Sequence, residues 1–596
     1  MQSLLRLTVY IKRYAWTFWL SVLGMLVARV IEGSIPMFVQ QGIDSIANGQ
    51  SLANNLSQIE VDKLLDNLVF PVTMICCCVF VQMLVTIAYR IGMRRIGVNA
   101  SYDLRNRLYQ HMQLQSLLFF SQYRIGDLMA RAINDINLCR EILAGAIRMT
   151  IILFMTAAVG VGYMLSYSVE LTLAVMLPMP VIAYVAFRFA KKIYAQSYLV
   201  QEGFASVSTF VQENLNGIRT IQSMAQEDRE IEKFQEVNSD FVDKNINLFI
   251  TNSFLSALMP ILAASGTLII ISYGSHLLNE GAITIGTFAA FFSYLGLLLW
   301  PVREAGNLVT QWQRGASGTS RLFEILDHEP EIEDSPTQDF PDLSGKISVK
   351  NLSYEYEGKE KLAINNLSFE VQPGETIAIL GRVGSGKSTL LRLFVRLLDP
   401  TQGQIYLDDH PINGFPLASL RENVCLVLQD PFLFADSLGD NIAYDNPNRD
   451  PSEILEITKA AALDDTVEGF PEGLDTILGE RGVTLSGGQK QRTALARGLI
   501  RQSPILILDD CFSSVDTETE ERILRGLKQI RKSSTTLLVS HRVSTARHAD
   551  RIMVLEHGEI KEIGTHQELL TLGGFYANLE LVQRDTETSS RPGTLE

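Results

Sequence analysis

A glycine-rich segment with a lysine and two hydroxyl residues, "GRVGSGKST", occupies residues 381–389. It follows the apolar segment "ETIAIL" and precedes the apolar segment "LLRLFVRLL", an order that predicts a strand, a loop and a helix. The spacing G-x-x-x-x-G-K-S in this setting is that of a loop that binds nucleotide phosphates through backbone N–H groups and the helix N-terminus. The candidate nucleotide-binding residues here are Gly381, Gly384, Ser385, Gly386, Lys387, Ser388 and Thr389.

Three further polar residues end apolar segments that read as strands. Asp509 ends "PILILD", where a carboxylate can hold Mg²⁺ together with the hydroxyl of Ser388. Gln429 in "LVLQDPF" can lie near Mg²⁺ and an attacking water, and His541 in "LLVSHR" can reach the γ-phosphate. Each of the last two residues alone would read as an ordinary polar residue at a strand end. Their order around a phosphate-binding loop favours a shared ATP and Mg²⁺ site.

The elements that position these residues fill only the second half of the chain. The first half carries long apolar segments, and the chain as a whole is 47% hydrophobic with a formal net charge of −15. This acidic balance argues against a nucleic-acid-binding surface, and the six cysteines form no disulfide-type pattern. Because about 20 apolar residues cross a bilayer, six spans are predicted. They are residues 16–42, 66–92, 143–166, 169–190, 250–275 and 283–303.

The distribution of basic residues predicts the orientation of the spans. The loops around 43–65, 166–170 and 275–282 contain one lysine among several acids. The N-terminus, the two long loops and the chain after residue 305 are therefore expected to be cytoplasmic. The basic residues on that side are Arg6, Lys12, Arg13, Arg90, Arg94, Arg95, Arg188, Lys191, Lys192, Arg303 and Arg314.

Polar residues also occur within the first span. Arg29 and Glu32 are three positions apart, and Gln40 and Gln41 follow them. A charge in hydrocarbon costs at least ~2.5–3.5 kcal/mol, so this pair should face a protein interior or a water-filled cavity. An internal ion pair that holds helices together and a contact with transported substrate both remain open interpretations.

The segment "LSGGQ", residues 485–489, precedes "KQRTALARGLI". With the phosphate-binding loop, this segment makes the chain resemble the ATP-binding cassette family over its whole length, as a half-transporter of the type I exporter class. In that family the segment binds the γ-phosphate of ATP held by a second cassette, which implies a dimer. The residues implicated are Ser486, Gly487, Gly488 and Gln489.

The resemblance assigns further roles. Tyr356 matches the aromatic residue that stacks on adenine, Glu480 matches a loop that senses the intracellular loops, and 513–516, "SSVD", match a loop that crosses to the partner. In the family each long cytoplasmic loop carries a coupling helix that docks on a cassette. The candidates are 116–128 and 208–221, for which plain helical packing is the alternative.

Asp510 departs from the family pattern, in which the general base at this position is a glutamate. Aspartate withdraws the carboxylate by about 1.3 Å, one projected C–C bond, and a misplacement of about 1 Å can cost ~10²-fold in rate. We therefore expect the site to bind ATP and hydrolyse it slowly, with Asp510, His541 and Gln429 as the candidate catalytic residues. The favoured interpretation is a heterodimer whose partner supplies the glutamate. The retained His541 leaves weak hydrolysis possible.

The predicted fold class is a membrane all-α six-helix transmembrane domain fused to a cytoplasmic α/β P-loop nucleotide-binding domain. The predicted ranges are 1–325 for the transmembrane domain, 326–345 for a linker, 346–584 for the cassette and 585–596 for a disordered tail. The predicted function is export of amphipathic drugs, lipids or peptides from a bacterial inner membrane. A homodimeric flippase with slow ATPase and an ATP-gated channel are the alternatives. An importer and a non-transport cassette protein are disfavoured, because six spans and a cassette share one chain.

Overall fold

The computed structural model describes residues 2–50, 58–334, 343–359, 361–479, 482, 485–531 and 534–590. The described chain divides into two compact units. The first comprises Met1–Gln113 and Tyr123–Glu329, and the second comprises Leu114–Gln122 and Pro330–Glu596. A short segment from the first half of the sequence therefore belongs to the second unit.

The described residues of the first unit form helices and the short turns that join them. Two π-helical turns, Arg131–Asp135 and Ile142–Ala146, interrupt its third long helix. Its helices are α1 Gln2–Leu5, α2 Thr8–Arg13, α3 Ala15–Gln50, α4 Gln58–Gln113, α6 Ile125–Ala130, α7 Ile136–Glu141, α8 Ile147–Tyr167, α9 Val169–Met176, α10 Met179–Asn216, α11 Ile218–Ser223, α12 Glu227–Asn279 and α13 Ile285–Leu326, and α5 Leu117–Gln122 belongs to the second unit.

Six helical segments of the described chain are long and apolar enough to cross a membrane. They confirm the six predicted spans and extend beyond several of them, because polar helical continuations follow the apolar segments. The segments are Ala15–Ala47, Asn67–Gln113, Ile125–Tyr167, Val169–Asn216, Glu227–Asn279 and Ile285–Leu326.

Close helix packing in the first unit depends on a small residue at the crossing of α3 with α8 and α13. A Cβ at Gly33 would lie 2.7 Å from the Tyr163 ring. The Gly33 carbonyl accepts a hydrogen bond from the Tyr294 hydroxyl at 2.9 Å, and the two tyrosine rings stack at 5.9 Å. Because Tyr294 is fully buried, its hydroxyl needs this acceptor. The spans therefore form a packed bundle with satisfied polar contacts at this point.

The described residues of the second unit form two sheets. One is an antiparallel sheet of four strands in the order β2-β1-β4-β5, and the other has six strands in the order β10-β9-β3-β8-β7-β6. In the larger sheet only β10 runs antiparallel to its neighbour. The strands are β1 Ile347–Tyr354, β2 Ile364–Val371, β3 Thr376–Leu380, β4 Gln402–Leu407, β5 His410–Pro411, β6 Val424–Val427, β7 Ile505–Asp509, β8 Thr535–Val539, β9 Arg551–Glu556 and β10 Glu559–Gly564.

Helices lie in the connections between the parallel strands of the larger sheet, as a parallel sheet requires. The carboxyl ends of β3, β6, β7 and β8 meet at one edge of the larger sheet, where the ligands of open α/β sheets bind. The helices are α14 Lys387–Phe394, α15 Leu417–Asn423, α16 Leu438–Ile442, α17 Pro451–Ala460, α18 Asp464–Glu468, α19 Gly487–Leu499, α20 Thr517–Ile530, α21 Val543–Ala546, α22 His566–Leu572 and α23 Phe575–Ser590.

Segment Leu114–Gln122 packs onto the second unit through α5. Leu118 contacts the hydrophobic core under the sheets, and Phe119 is fully buried. The Ser116 hydroxyl donates a hydrogen bond to Oε2 of Glu331 at 2.5 Å. Helix α5 lies within the first coupling-helix candidate, 116–128. In the second candidate, 208–221, the helix is interrupted at Gly217, which separates α10 from α11.

The predicted end of the cassette at residue 584 falls within a helix, because α23 continues to Ser590. The buried side chain of Tyr576 anchors the start of this helix. Disorder of the tail stays a prediction. Residues 335–342 of the predicted linker and 591–596 of the tail lie outside the described residues.

Candidate nucleotide site

The loop between β3 and α14 has a backbone that requires glycine. Gly384 and Gly386 have φ angles of +83° and +101°, which residues with a side chain rarely adopt. A Cβ at Gly386 would also lie 2.3 Å from the carbonyl oxygen of Ala363. Nothing lies within 4 Å of a Cβ built at Gly384, so this glycine borders open space. The loop therefore leaves room at the N-terminus of α14, where backbone N–H groups can bind an anion.

Lys387 begins α14, and its side chain folds back over this loop. Its Nζ donates hydrogen bonds to the carbonyl oxygens of Gly381 at 2.8 Å and Arg382 at 2.9 Å. The residue is 7% exposed, and burial lowers the pKa of its ammonium. Among the described residues, no carboxylate lies within ion-pair distance of Nζ. A buried cation surrounded by neutral acceptors is suited to an anionic ligand.

The two predicted metal ligands are adjacent. The Ser388 hydroxyl lies beside the carboxylate of Asp509 at the end of β7; burial raises the pKa of that carboxyl, and the neighbouring hydroxyl opposes this rise. Thr389, the next residue of α14, is 3.1 Å from the Tyr356 hydroxyl through its Oγ1. The aromatic residue predicted to contact adenine is thus connected to the phosphate loop. A hydroxyl beside a carboxylate is a donor set that fits Mg²⁺.

Asp510 lies at the centre of the remaining polar residues. Its Oδ2 accepts a hydrogen bond from Nε2 of Gln429 at 3.3 Å and lies 3.9 Å from Nε2 of His541. Burial raises the pKa of the Asp510 carboxyl, and the charge of His541 opposes this shift. Its φ angle is +43°, a region that aspartate enters more readily than most residues. The three predicted catalytic residues therefore meet at one point beside Asp509.

Ser486 caps the N-terminus of α19. Its Oγ accepts a hydrogen bond from the N–H of Gln489 at 3.3 Å, and Oε1 of Gln489 accepts from the N–H of Ser486 at 2.8 Å. A Cβ at Gly488 would lie 2.7 Å from the carbonyl oxygen of Ser514, so glycine is required there. Ser486 and Gly487 are exposed. The N-terminus of α19 is thus accessible at the surface of the second unit.

The loop after β7 packs beside this helix. Nε2 of Gln491 donates to Oγ of Ser513 at 2.8 Å, and Oε1 of Gln491 accepts from the N–H of Ser514 at 2.9 Å. Asp516 ends the loop and caps α20 through the N–H of Thr519. Within the described chain, no hydrogen bond or ion pair joins 485–489 to 381–389. Glu480 lies outside the described residues.

Sequence reasoning missed Gln583 of α23. Its Nε2 donates to the carbonyl oxygen of His541 at 2.8 Å, and its Oε1 accepts from the N–H of Val543 at 2.8 Å. One side-chain amide therefore holds the backbone on both sides of Arg542. No sequence motif marks this residue, because the contact depends on α23 returning to the end of β8. Gln583 is a positioning residue for His541.

We expect Gln583→Ala to lower kcat for ATP by ~5-fold, the value of about one net hydrogen bond, while KM for ATP stays unchanged. The measurement is steady-state ATPase in an Asp510→Glu background, in which turnover is predicted to be readily measurable. Asn578→Ala, an exposed amide of the same helix, is the matched control. Equal kcat in the Gln583 and Asn578 variants would remove the assigned role.

Comparisons with known proteins agree with this geometry. The family model for the ABC transporter transmembrane region matches residues 18–302, and that for the ABC transporter matches 364–513. The chain is 34% identical, over 99% of each chain, to the uncharacterized ABC transporter ATP-binding protein YknU of Bacillus subtilis (strain 168). It is also 34% identical to the ATP-dependent lipid A-core flippase of Syntrophus aciditrophicus (strain SB), over 97% of this chain and 94% of that protein.

A solved structure extends the likeness to the fold. The structure of a bacterial Atm1-family ABC exporter with ATP bound superposes with a TM-score of 0.79 and 25% sequence identity. It covers 96% of this chain and 99% of that chain. The chain thus belongs to the ABC transporter family, as an exporter-type half-transporter in which six membrane-spanning helices precede one ATP-binding ATPase domain.

Proposed function

We propose that this chain is the weakly hydrolysing half of a heterodimeric ATP-driven exporter. The predicted limits, 1–325 for the transmembrane domain and 346–584 for the cassette, are part of the proposal. ATP binding would close the two cassettes and reorient the spans, provided that ATP binds the closed state more tightly than the open state. Hydrolysis at the site based on the partner would then reset the transporter.

The identity of residue 510 carries the heterodimer proposal. Its carboxylate is directed toward Gln429 and His541, as a base beside the nucleotide should be, but its side chain is one methylene shorter than the glutamate expected from the family. A base must come within hydrogen-bond reach of the water that it activates. The nucleotide-binding residues themselves are all present. These features support a site that holds ATP and hydrolyses it slowly.

The phosphate loop, Lys387 and Tyr356 would hold ATP, and Ser388, Asp509 and Gln429 would hold Mg²⁺. When bound, Mg²⁺ neutralises negative charge on the phosphate oxygens. Lys387 would exchange its two carbonyl acceptors for phosphate oxygens, which relieves the burial of an unbalanced ammonium. This exchange supports firm nucleotide binding even where hydrolysis is slow.

The exposed N-terminus of α19 supports the requirement for a partner. Ser486 and Gly487 are accessible, and the N-terminus of a helix attracts anions. In the proposed heterodimer, residues 485–489 complete the active site of the partner. This chain would then contribute to fast hydrolysis through these residues rather than through Asp510.

We further propose that the exporter moves amphipathic compounds out across a bacterial inner membrane, with the N-terminus and cassette in the cytoplasm. The placement of lysine and arginine supports this orientation. A relative named as a lipid A-core flippase supports an amphipathic substrate. The apolar spans with few polar residues support the same class.

The test is the composition of the transporter purified from its native membrane in a mild detergent. Native mass spectrometry should find one copy of this chain with one copy of a second ABC half-transporter that has glutamate after its Mg²⁺-binding aspartate. A complex of two copies of this chain with rapid ATP turnover would refute the heterodimer and leave the exporter assignment in place.

The retained histidine favours one alternative, a homodimeric flippase with slow ATPase. His541 lies 3.9 Å from Asp510, so both groups needed for residual hydrolysis are present in this chain. In that case two copies of this chain would form the native complex, and its ATPase would be slow but abolished by His541→Ala.

A further inference from the structure

A cavity with charged residues in its lining lies within the helical unit, between α3, α4, α8 and α13. Its volume is about 560 Å³. Its lining includes three arginines, one from each of the first three helices, but only one carboxylate. The lining residues used below are Arg29, Glu32, Arg90, Arg148, Thr156 and Trp300. A cavity of this size within membrane-spanning helices holds more positive than negative charge.

The positive charge is not balanced by the protein. Arg29 forms an ion pair with Glu32 on the same helix, so that carboxylate is already engaged. Within the described part of the chain, neither Arg90 nor Arg148 has a carboxylate within 4 Å. Nε of Arg148 donates to the carbonyl oxygen of Ala144 at 3.2 Å. Two guanidinium groups therefore remain without a counter-ion.

Unused hydrogen-bonding groups border the same cavity. Nε of Arg29, Oε2 of Glu32 and Oγ1 of Thr156 are buried and have no hydrogen-bond partner among the described residues, although that Glu32 oxygen is the one in the ion pair with Arg29. A buried donor without a partner is unfavourable, so such groups usually indicate a ligand or ordered water. Here they lie beside unpaired positive charge, which favours a ligand with acceptor oxygens.

The cavity extends inward from the basic ends of the spans. A Cβ at Gly24 would lie 3.2 Å from Cβ of Tyr89, so these residues of α3 and α4 are at one level. Arg29 is five residues further along α3, which places it about 7.5 Å deeper at 1.5 Å per residue. Arg90 follows Tyr89 directly, and Arg148 lies one helical turn beyond Ala144, whose Cβ would be 2.8 Å from a Cβ at Gly97 of α4. The three guanidinium groups thus lie at different depths, over a distance comparable to the length of a polar head group.

The rest of the lining is suited to an apolar group next to that head group. Trp300 is partly exposed to the cavity side of α13, and Met149, Ile152 and Leu297 also border the cavity. An indole is well accommodated where an apolar surface meets a polar one. The lining therefore combines a cationic part with an apolar part.

We propose that this cavity binds the phosphate or carboxylate head of an anionic amphiphile, which makes anionic amphiphiles the substrate class of the exporter. The inference rests on the proposed export of amphipathic compounds and adds the sign of the substrate charge. Guanidinium groups bind phosphate and carboxylate through paired N–H···O bonds. Arg90 and Arg148 provide the unpaired charge, and Arg29 provides a further donor.

The experiment measures binding by the full-length chain in phosphatidylcholine nanodiscs without ATP. The probes are oleoyl lysophosphatidic acid, oleoyl lysophosphatidylcholine and inorganic phosphate, quantified by native mass spectrometry. We expect the lysophosphatidic acid to bind at least about tenfold more tightly than either of the others, since a charge-assisted hydrogen bond contributes roughly tenfold or more. Because ATP and a second half-transporter are absent, this result does not depend on hydrolysis or on the heterodimer.

Variants separate recognition from folding. Arg148→Gln and, independently, Arg90→Gln should each weaken lysophosphatidic acid binding by about tenfold and leave lysophosphatidylcholine binding unchanged. Arg94→Gln is the matched control, because Arg94 is an exposed arginine of α4 that does not line the cavity. Equal affinity for the two lipids, an equal loss in all three variants, or equally tight binding of inorganic phosphate would overturn the proposal.

Discussion

Replacing Asp510 by glutamate is expected to raise ATP turnover of the purified chain by about 10²-fold. The added methylene advances the carboxylate by about 1.3 Å. It starts from a position where Oδ2 already lies 3.3 Å from Nε2 of Gln429 and 3.9 Å from Nε2 of His541. The carboxylate of Asp510 is therefore oriented correctly but does not reach far enough toward the attacking water. Steady-state ATPase of the chain without a partner measures the change.

The same substitution should slightly lower thermal stability. Residue 510 has a φ angle of +43°, and glutamate tolerates this left-handed region less well than aspartate does. Asp510→Asn is the matched control, since it keeps the size of the side chain and removes the base. It should bind ATP normally and turn over no faster than the unmodified chain. If the unmodified chain already equals Asp510→Glu in turnover, residue 510 does not limit hydrolysis and the heterodimer proposal fails.

Lys387→Ala is expected to weaken ATP binding by roughly 10- to 100-fold, the range of a lost hydrogen bond to a charged group. Its ammonium lies over the phosphate loop and is held by the carbonyl oxygens of Gly381 and Arg382. No other lysine or arginine of the described chain contacts those two carbonyl oxygens. A fluorescent ATP analogue measures affinity, and circular dichroism checks the fold.

Lys346→Ala is the control for a lost lysine in the same unit. Its ammonium pairs with Asp409 at 2.8 Å on the surface, and an exposed pair of this kind contributes little. ATP affinity should therefore be unchanged in this variant. Unchanged affinity in Lys387→Ala as well would show that the phosphate loop binds nucleotide without its lysine.

The nucleotide site could be predicted from the sequence because its residues follow strands. Parallel strands end at one edge, so Asp509, Gln429 and His541 had to meet beside the loop that follows β3. The six spans were equally accessible, since their apolar length is set by the bilayer. Both predictions rest on local sequence patterns, polar residues at strand ends and apolar segments of bilayer length, and the fold preserves both.

Other features depend on contacts between distant parts of the chain. Gln583 acts on His541 only because α23 folds back to the end of β8, 42 residues from it in sequence. Arg90 was interpreted only as a charge that sets orientation, and Arg148 was not singled out. The packing of four helices places both beside one cavity. The spacing of residues along the sequence does not reveal such contacts.

The attachment of α5 to the second unit affects how the ATPase can be produced separately. A recombinant fragment beginning at residue 346, where the sequence predicts the cassette to start, or at Pro330 omits Leu118, which covers part of the core, and Ser116, which contacts Glu331. Such a fragment would expose an apolar patch to solvent and tend to aggregate. Adding a synthetic peptide of residues 114–122 should improve its solubility.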